Sequence, residues 1–395
     1  MKAVTWQGIE KVSVEEVPDP RIIEPTDAIV RVTSTAICGS DLHLYKVLAP
    51  YLSSGDVIGH EFMGIVEEVG ANVTHIAPGD RVVVPFNIAC GRCWMCKRGL
   101  FAQCETTQVR EQGKGAALFG YTSLYGQVPG GQAELVRVPH ADFGPIKVPE
   151  GLPDERFLFL SDILPTAWQA VAFADVEPGS TVAVLGLGPV GQLAVTCALR
   201  QGAGRVLAVD LVPERLERAS GLGAETIDLD ECDDVPAALI EYTAGRGPDS
   251  VIDAVGMEAH GNPAAAAVIG LASRLPKPAA RLAVDHAGID RLDAVHTAIA
   301  AVRRGGTVSL AGVYGGAIDP MPMMDMFDKG ITMRMGQCHV RRWTDDLLAT
   351  LEQGDPFGVD DLTTHHLPLA SAPEAYEMFQ KKTDGCIKVV MHPQQ

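Results

Sequence analysis

Four cysteines fall within sixteen residues, ACGRCWMCKRGLFAQC (89–104), out of nine in a chain of 395. Cys90, Cys93, Cys96 and Cys104 follow the spacing C-x2-C-x2-C-x7-C. Three thiols at such short intervals can turn inward around one ion, and the fourth closes a tetrahedron. Four thiolates with no open position are how a protein holds structural zinc. The iron–sulfur run C-x2-C-x2-C-x3-C-P is the near competitor. Here the last gap is seven residues and no proline follows Cys104. Unliganded thiols in a loop are the bland alternative, and exposed free thiols are a liability. A closed zinc site stabilises a lobe and does no chemistry.

An open metal site needs ligands from elsewhere. Cys38 stands in TAICGSDLH, and His60 and Glu61 stand in VIGHEFMGIVEEVG. A Cys and a His from separate segments, joined by a later carboxylate, leave a fourth position for water or substrate. Gly39 and Gly59 permit tight turns that present these side chains. Taken singly, a lone Cys reads as a small buried hydrophobe and a lone His as a core residue.

A third group of residues points to a nucleotide. The Val-rich run from Thr181 to Leu185 reads as a buried strand. Gly186-Leu187-Gly188-Pro189-Val190-Gly191 follows, a G-x-G-x-x-G, and Pro189 suits the first turn of a helix. A second strand ends in Asp210, nineteen residues past Gly191. Strand, glycines, helix, strand and acid at this distance form a dinucleotide-binding pattern. Gly186 permits the tight turn, Gly188 lets backbone approach a pyrophosphate, and Gly191 lets helix pack on strand. The helix N-terminus faces the phosphates. Asp210 would accept hydrogen bonds from the adenosine ribose and repel a 2′-phosphate, which favours NAD over NADP. Arg215 either touches the same ribose or is a surface charge.

The elements that must hold these groups divide the chain in two, as its length suggests. The front, 1–160, has short runs such as DAIVRVTSTAI, DRVVVP and AELVRVP between Gly and Pro, a mostly β domain. After a boundary near LSDILPTAWQAV come strands at 181–185 and 205–209, then ETIDL (225–229), SVIDAVG (250–256), TVSLAGVYG (307–315) and GITMRMG (330–336). Alternating with helices, they predict a doubly wound α/β sheet. The formal charge of −18 argues against nucleic-acid and anionic-membrane partners. No run approaches a membrane span, and MKAVTWQGIEKVSVEEV lacks the apolar core of a signal peptide, so a cytoplasmic protein is expected.

The whole chain resembles the zinc-containing medium-chain alcohol dehydrogenases. The resemblance rests on CGSD (38–41), GHEFMGIVEEVG (59–70), the four-cysteine lobe, and GLGPVG with Asp210. Within that family it is most similar to the glutathione-independent formaldehyde dehydrogenases, through VPFNIACGRC (84–93), GGQAELVRVPHADF (130–143), LSDILPTAW (160–168) and DAVGMEA (253–259). The resemblance implies a GroES-like catalytic domain over 1–162, a Rossmann domain over 163–335, and a return to the catalytic domain over 336–395. It implies two zinc ions per chain and NAD. Cys38, His60 and Asp162 would hold the catalytic zinc, and Cys90, Cys93, Cys96 and Cys104 the structural one. Glu61 would approach the metal during ligand exchange. Ser40 and His43 would relay a proton outward, and Asp41 would orient the histidine ligand. The competing readings are a helix cap for Asp162 and a surface side chain for His43.

The implied reaction is hydride transfer to NAD from an alcohol or a hydrated aldehyde, with formaldehyde or a small aldehyde favoured. A general primary or secondary alcohol dehydrogenase and an aldehyde dismutase that retains its NAD are the alternatives. A non-catalytic zinc- or nucleotide-binding protein is the alternative of another class. The substrate is a small molecule, and relatives assemble as dimers or tetramers. The Ala/Pro-rich segment 257–287 is expected to cover the cofactor, or else to be a surface excursion or a subunit contact. Phe119 and Tyr121 are candidate pocket walls.

Overall fold

The computed structural model describes residues 1–46, 48–256, 292–314 and 321–394. The segment 257–287 lies outside them. The chain forms two compact units, one of Met1–Pro165 with Cys338–Gln395 and one of Thr166–Gln337.

The first unit is mostly β. Strands β1 (Lys2–Gly8) and β2 (Lys11–Glu16) form an antiparallel hairpin. Strands β3 (Ala28–Ile37), β4 (Glu61–Val69), β5 (Arg81–Val84), β6 (Leu135–Val138) and β7 (Ile146–Lys147) belong to the main sheet. Val30, Val32, Phe62, Val66, Val82, Val84 and Val136 build one apolar core. Phe119 lies in that core, its ring edge-on to Phe62 at 5.2 Å. It is therefore packing and not pocket wall.

The second unit is a six-stranded parallel sheet: β8 (Thr181–Leu185), β9 (Arg205–Asp210), β10 (Glu225–Asp228), β11 (Ser250–Asp253), β12 (Thr307–Leu310) and β13 (Thr332–Met335). The order is β10-β9-β8-β11-β12-β13 and every pairing is parallel. Strand order reverses between β8 and β11, the doubly wound arrangement whose switch point accepts ligands at the carboxyl ends of the strands. Ala183, Leu185, Leu207, Val209, Val251 and Val308 fill its core.

The chain then returns to the first unit. Strands β14 (His365–Pro368) and β15 (Val389–His392) run parallel to each other, and β15 pairs antiparallel with β3. The sheet order is β14-β15-β3-β4-β5-β7, with β6 also on β3.

Candidate active site

Strand β3 delivers Cys38 directly to the N-cap of the helix Gly39–Tyr45. Asp41, three residues on, accepts the Cys38 backbone N–H at 3.0 Å. This reciprocal cap fixes where the thiol points. Gly39 is an ordinary helical residue, so the tight turn expected there does not form. Gly59 does need its freedom: its φ is +96°, and a Cβ would lie 2.3 Å from Gln132 Cγ. It turns the chain so that His60 and Glu61 enter β4 facing Cys38.

Asp162 follows the short turn Phe159–Ser161. Its Oδ2 lies 3.3 Å from His60 Nε2 and 3.7 Å from Cys38 Sγ. One donor atom each from Cys38, His60, Glu61 and Asp162 comes within 4.8 Å of the others, and all four residues are buried. The other imidazole nitrogen, His60 Nδ1, is 3.0 Å from Asp41 Oδ1. A proton on Nδ1 bonded to that carboxylate leaves Nε2 as the ligand atom.

The donor chemistry calls for a cation. Burial, then the charges of Glu61 and Asp162, pushes the Cys38 thiol up to about 11. Burial alone would lower His60, but Asp41 and Asp162 more than offset this and hold it well above its ordinary value. Glu61 is partly compensated already. Lys388, also fully buried, places Nζ 2.8 Å from its carboxylate and donates to Ile37 O at 2.9 Å. Cys38, His60 and Asp162 remain as the candidate ligand set. One sulfur, one imidazole and one carboxylate suit zinc with an open position.

Ser40 Oγ lies 3.1 Å from His60 Nε2. His43 is buried, not on the surface, and burial lowers it to about 4, so it is neutral near pH 7. The rings of Phe86 and Tyr121 stand edge-on to His60, each at 6.2 Å. Three residues here escape sequence reasoning. Lys388 is one, signalled only by a lysine inside the apolar run CIKVVM. Gln132 and Tyr376 are the others. Tyr376 OH donates to Gln132 Oε1 at 2.9 Å, and Gln132 Nε2 donates to Asp41 Oδ2 at 3.4 Å. This buried chain holds the carboxylate that holds the histidine.

In the cysteine lobe, Cys90, Cys93, Cys96 and Cys104 present sulfurs within 4.8 Å of one another. Cys93 and Cys104 are 3.9 Å apart. A tetrahedron with Zn–S bonds of about 2.3 Å has edges of about 3.8 Å. Backbone N–H groups of Cys90, Cys93 and Cys96 each donate to a cysteine sulfur at 3.4 Å. Burial opposes it, yet such donors bring Cys93 down to about 6. The lobe can hold one structural zinc.

Two family models match the chain: the alcohol dehydrogenase GroES-like domain over residues 24–150 and the zinc-binding dehydrogenase over 189–270. An uncharacterised zinc-type alcohol dehydrogenase-like protein of Bacillus subtilis is 44% identical over 398 residues, all of both chains. The chain belongs to the zinc-type medium-chain alcohol dehydrogenases. Formaldehyde dismutase of Pseudomonas putida is 34% identical, covering 99% of this chain and 97% of that one. An alcohol dehydrogenase from Thermus sp. ATN1 is 38% identical with a TM-score of 0.82, covering 99% of each chain.

The second unit of this dehydrogenase carries the glycine loop. Gly186 follows β8 with φ +85°, and a Cβ on Gly191 would lie 1.9 Å from Gly186 O. Among the described residues, a Cβ at Gly188 would meet only Arg215 Nη1, at 3.9 Å, so they leave that face open. Pro189 begins the helix Pro189–Arg200, and Val190 is half-buried beside it. Asp210 accepts N–H groups of Leu187 at 2.6 Å, Leu211 at 2.8 Å and Val212 at 2.9 Å. Arg215 is buried, with Nη1 3.9 Å from Asp210 Oδ2. It is not the surface charge that a lone helical arginine suggests.

Proposed function

We propose that this zinc-type dehydrogenase oxidises formaldehyde or another small hydrated aldehyde with NAD, holding two zinc ions per chain. The observation that carries the reading is the buried set Cys38, His60 and Asp162 with the Ser40 hydroxyl beside it. The likeness to a formaldehyde dismutase supports the substrate class. Zinc, when bound by Cys38, His60 and Asp162, supplies Lewis acidity that lowers the pKa of a substrate hydroxyl. NAD, when bound, supplies the hydride acceptor.

The chain's own residues do the rest. Ser40 Oγ, beside His60 Nε2, accepts the hydroxyl proton and passes its own outward, and His43, three residues on in the same helix, is the next group of the relay. Phe86 and Tyr121 keep water from one side of His60. Asp41, braced by Gln132 and Tyr376, fixes the imidazole. In the second unit, the open face of Gly188 admits a pyrophosphate. Asp210 keeps acceptor capacity for ribose hydroxyls, since a carboxylate has about four lone-pair sites. The same reading includes self-association through the exposed edge of β13.

The test is the initial rate of NADH formation from formaldehyde without glutathione, beside ethanol and a longer primary alcohol. Turnover of formaldehyde is the expected result. Turnover of an alcohol with formaldehyde inert overturns the substrate assignment in favour of the second reading, an alcohol dehydrogenase, which the likeness to the Thermus enzyme favours. Methanol and formate appearing together without added NAD identify dismutation on retained cofactor.

A further inference from the structure

A third cluster of metal-ligating side chains lies in the first unit, apart from both sites above. Glu155 opens the short helix Glu155–Leu158. His366 is in β14 and His392 ends β15. In the parallel register His366 is opposite Val390. His392, two residues on from Val390, therefore points to the same face. The two imidazoles lie parallel, 4° apart in plane, with centroids 5.9 Å apart. Glu155 Oε1 is 3.4 Å from His366 Nδ1 and 3.8 Å from His392 Nε2. The three ligand atoms all fall within 4.8 Å of one another.

The hydrogen bonds around His392 decide what this arrangement wants. On its Nδ1 side are Thr33 O at 3.4 Å and Ser34 Oγ at 3.3 Å. Ser34 gives its own proton to Asp154 Oδ2 at 2.9 Å, so its oxygen is an acceptor toward the ring. Both neighbours of Nδ1 are then acceptors, and Nδ1 carries the proton. That leaves the Nε2 lone pair facing the Glu155 carboxylate at a distance too long for a hydrogen bond. With His392 neutral, Nε2 and the carboxylate each offer a lone pair, and a cation between them satisfies both. A tetrahedron with Zn–N and Zn–O bonds of about 2.0–2.2 Å has edges of about 3.3–3.6 Å, close to the spacings present. The backbone carbonyl behind Nδ1 is the outer partner that metal-bound histidines require.

We infer that Glu155, His366 and His392 form a third metal site, for zinc or a similar borderline divalent cation. Two imidazoles and one carboxylate exclude calcium and magnesium as preferred occupants. His366 is 53% exposed while Glu155 and His392 are 17% and 19% exposed, so the ion enters from solvent on the His366 side. The site ties the C-terminal strand β15 to β14 and to the helix after residue 154. Its effect is a stability that rises with free zinc. It contributes nothing to hydride transfer.

The test uses the full-length protein with its resident metals. Wild type and the variants His366→Gln and His392→Gln are dialysed to equilibrium against micromolar zinc and counted by plasma mass spectrometry. Thermal unfolding is followed with and without zinc. The expected result is about one fewer zinc per chain in each variant, and a zinc-dependent rise in wild-type melting temperature that both variants lack. Equal metal counts in all three proteins overturn the site. A rise of the same size with magnesium or calcium overturns the ligand class. His366 is exposed enough that its variant folds, which keeps the count readable if His392→Gln does not.

Discussion

Lys388 and Glu61 form a charge pair with no exposure on either side. Removing both charges from water costs several kcal/mol per ion, and their contact offsets it only while both are present. Lys388→Met therefore leaves Glu61 buried beside Asp162 and Cys38, three acidic groups with one cation fewer. The expected loss is about 3–5 kcal/mol of unfolding free energy, read by urea denaturation. The double variant Lys388→Met, Glu61→Gln recovers most of it. A single variant as stable as wild type would mean that Glu61 is protonated in the fold. Of the residues at this site, Cys38, His60, Glu61 and Asp162 were legible because motifs surround them. Lys388 was not, since burial of a lysine depends on a partner 327 positions away. Nor were Glu155, His366 and His392, which share no spacing: the pairing of β14 with β15 puts the two histidines on one face, and the helix Glu155–Leu158 brings the carboxylate.

At the scale of elements, the glycine loop separates two roles that sequence alone assigns together. Gly191 is closed in: its Cβ would enter the Gly186 carbonyl. Gly191→Ala must displace the helix Pro189–Arg200 from β8, and a fall of about 2 kcal/mol or more in stability is expected. Gly188 has open space, so Gly188→Ala folds as wild type and instead weakens NAD binding about tenfold, the equivalent of about 1.4 kcal/mol. Calorimetric titration with NAD beside thermal unfolding distinguishes the two. Equal stability losses would show that the loop is packed as one unit.

The cysteine lobe has a device of its own. The backbone N–H of Ala102 donates to His339 Nδ1 at 3.1 Å, and burial, with Arg342, lowers His339 to about 4. The ring is neutral in the fold and takes up a proton on unfolding below about pH 6.5. Its contribution is therefore full above pH 6.5 and is lost as pH falls through about 4. His339→Gln keeps an acceptor without a titration, so its stability should fall less steeply with acid than that of wild type. Urea midpoints measured across this range check it, and identical slopes would remove His339 from the acid response. The four cysteines were readable from spacing because their ligand geometry is local. The histidine behind them came from 235 residues beyond Cys104, and nothing in its neighbourhood marks it.

For the whole molecule, among the described residues the sheet of the second unit ends at β13, which pairs there with β12 alone. An edge strand presents unpaired N–H and C=O groups and is usually covered or charged. Exposed apolar side chains stand on β13 and on the helix before it, Met323 at 65%, Met324 at 71%, Phe327 at 82% and Met335 at 58%, with Arg334 the charge on the strand. Scattered exposed apolar residues need no explanation, but a cluster beside an open edge marks an association surface. A second copy presenting the same edge is the partner that symmetry makes simplest, because one patch then covers itself. The net charge of −18 opposes that contact, so it should strengthen as salt screens the repulsion. Light scattering after gel filtration should give a mass of at least two chains for wild type. Phe327→Asp, which places two like charges across the two-fold, should give a single chain with its melting temperature little changed. A wild-type monomer at micromolar concentration and moderate salt would show that the edge is covered within the chain.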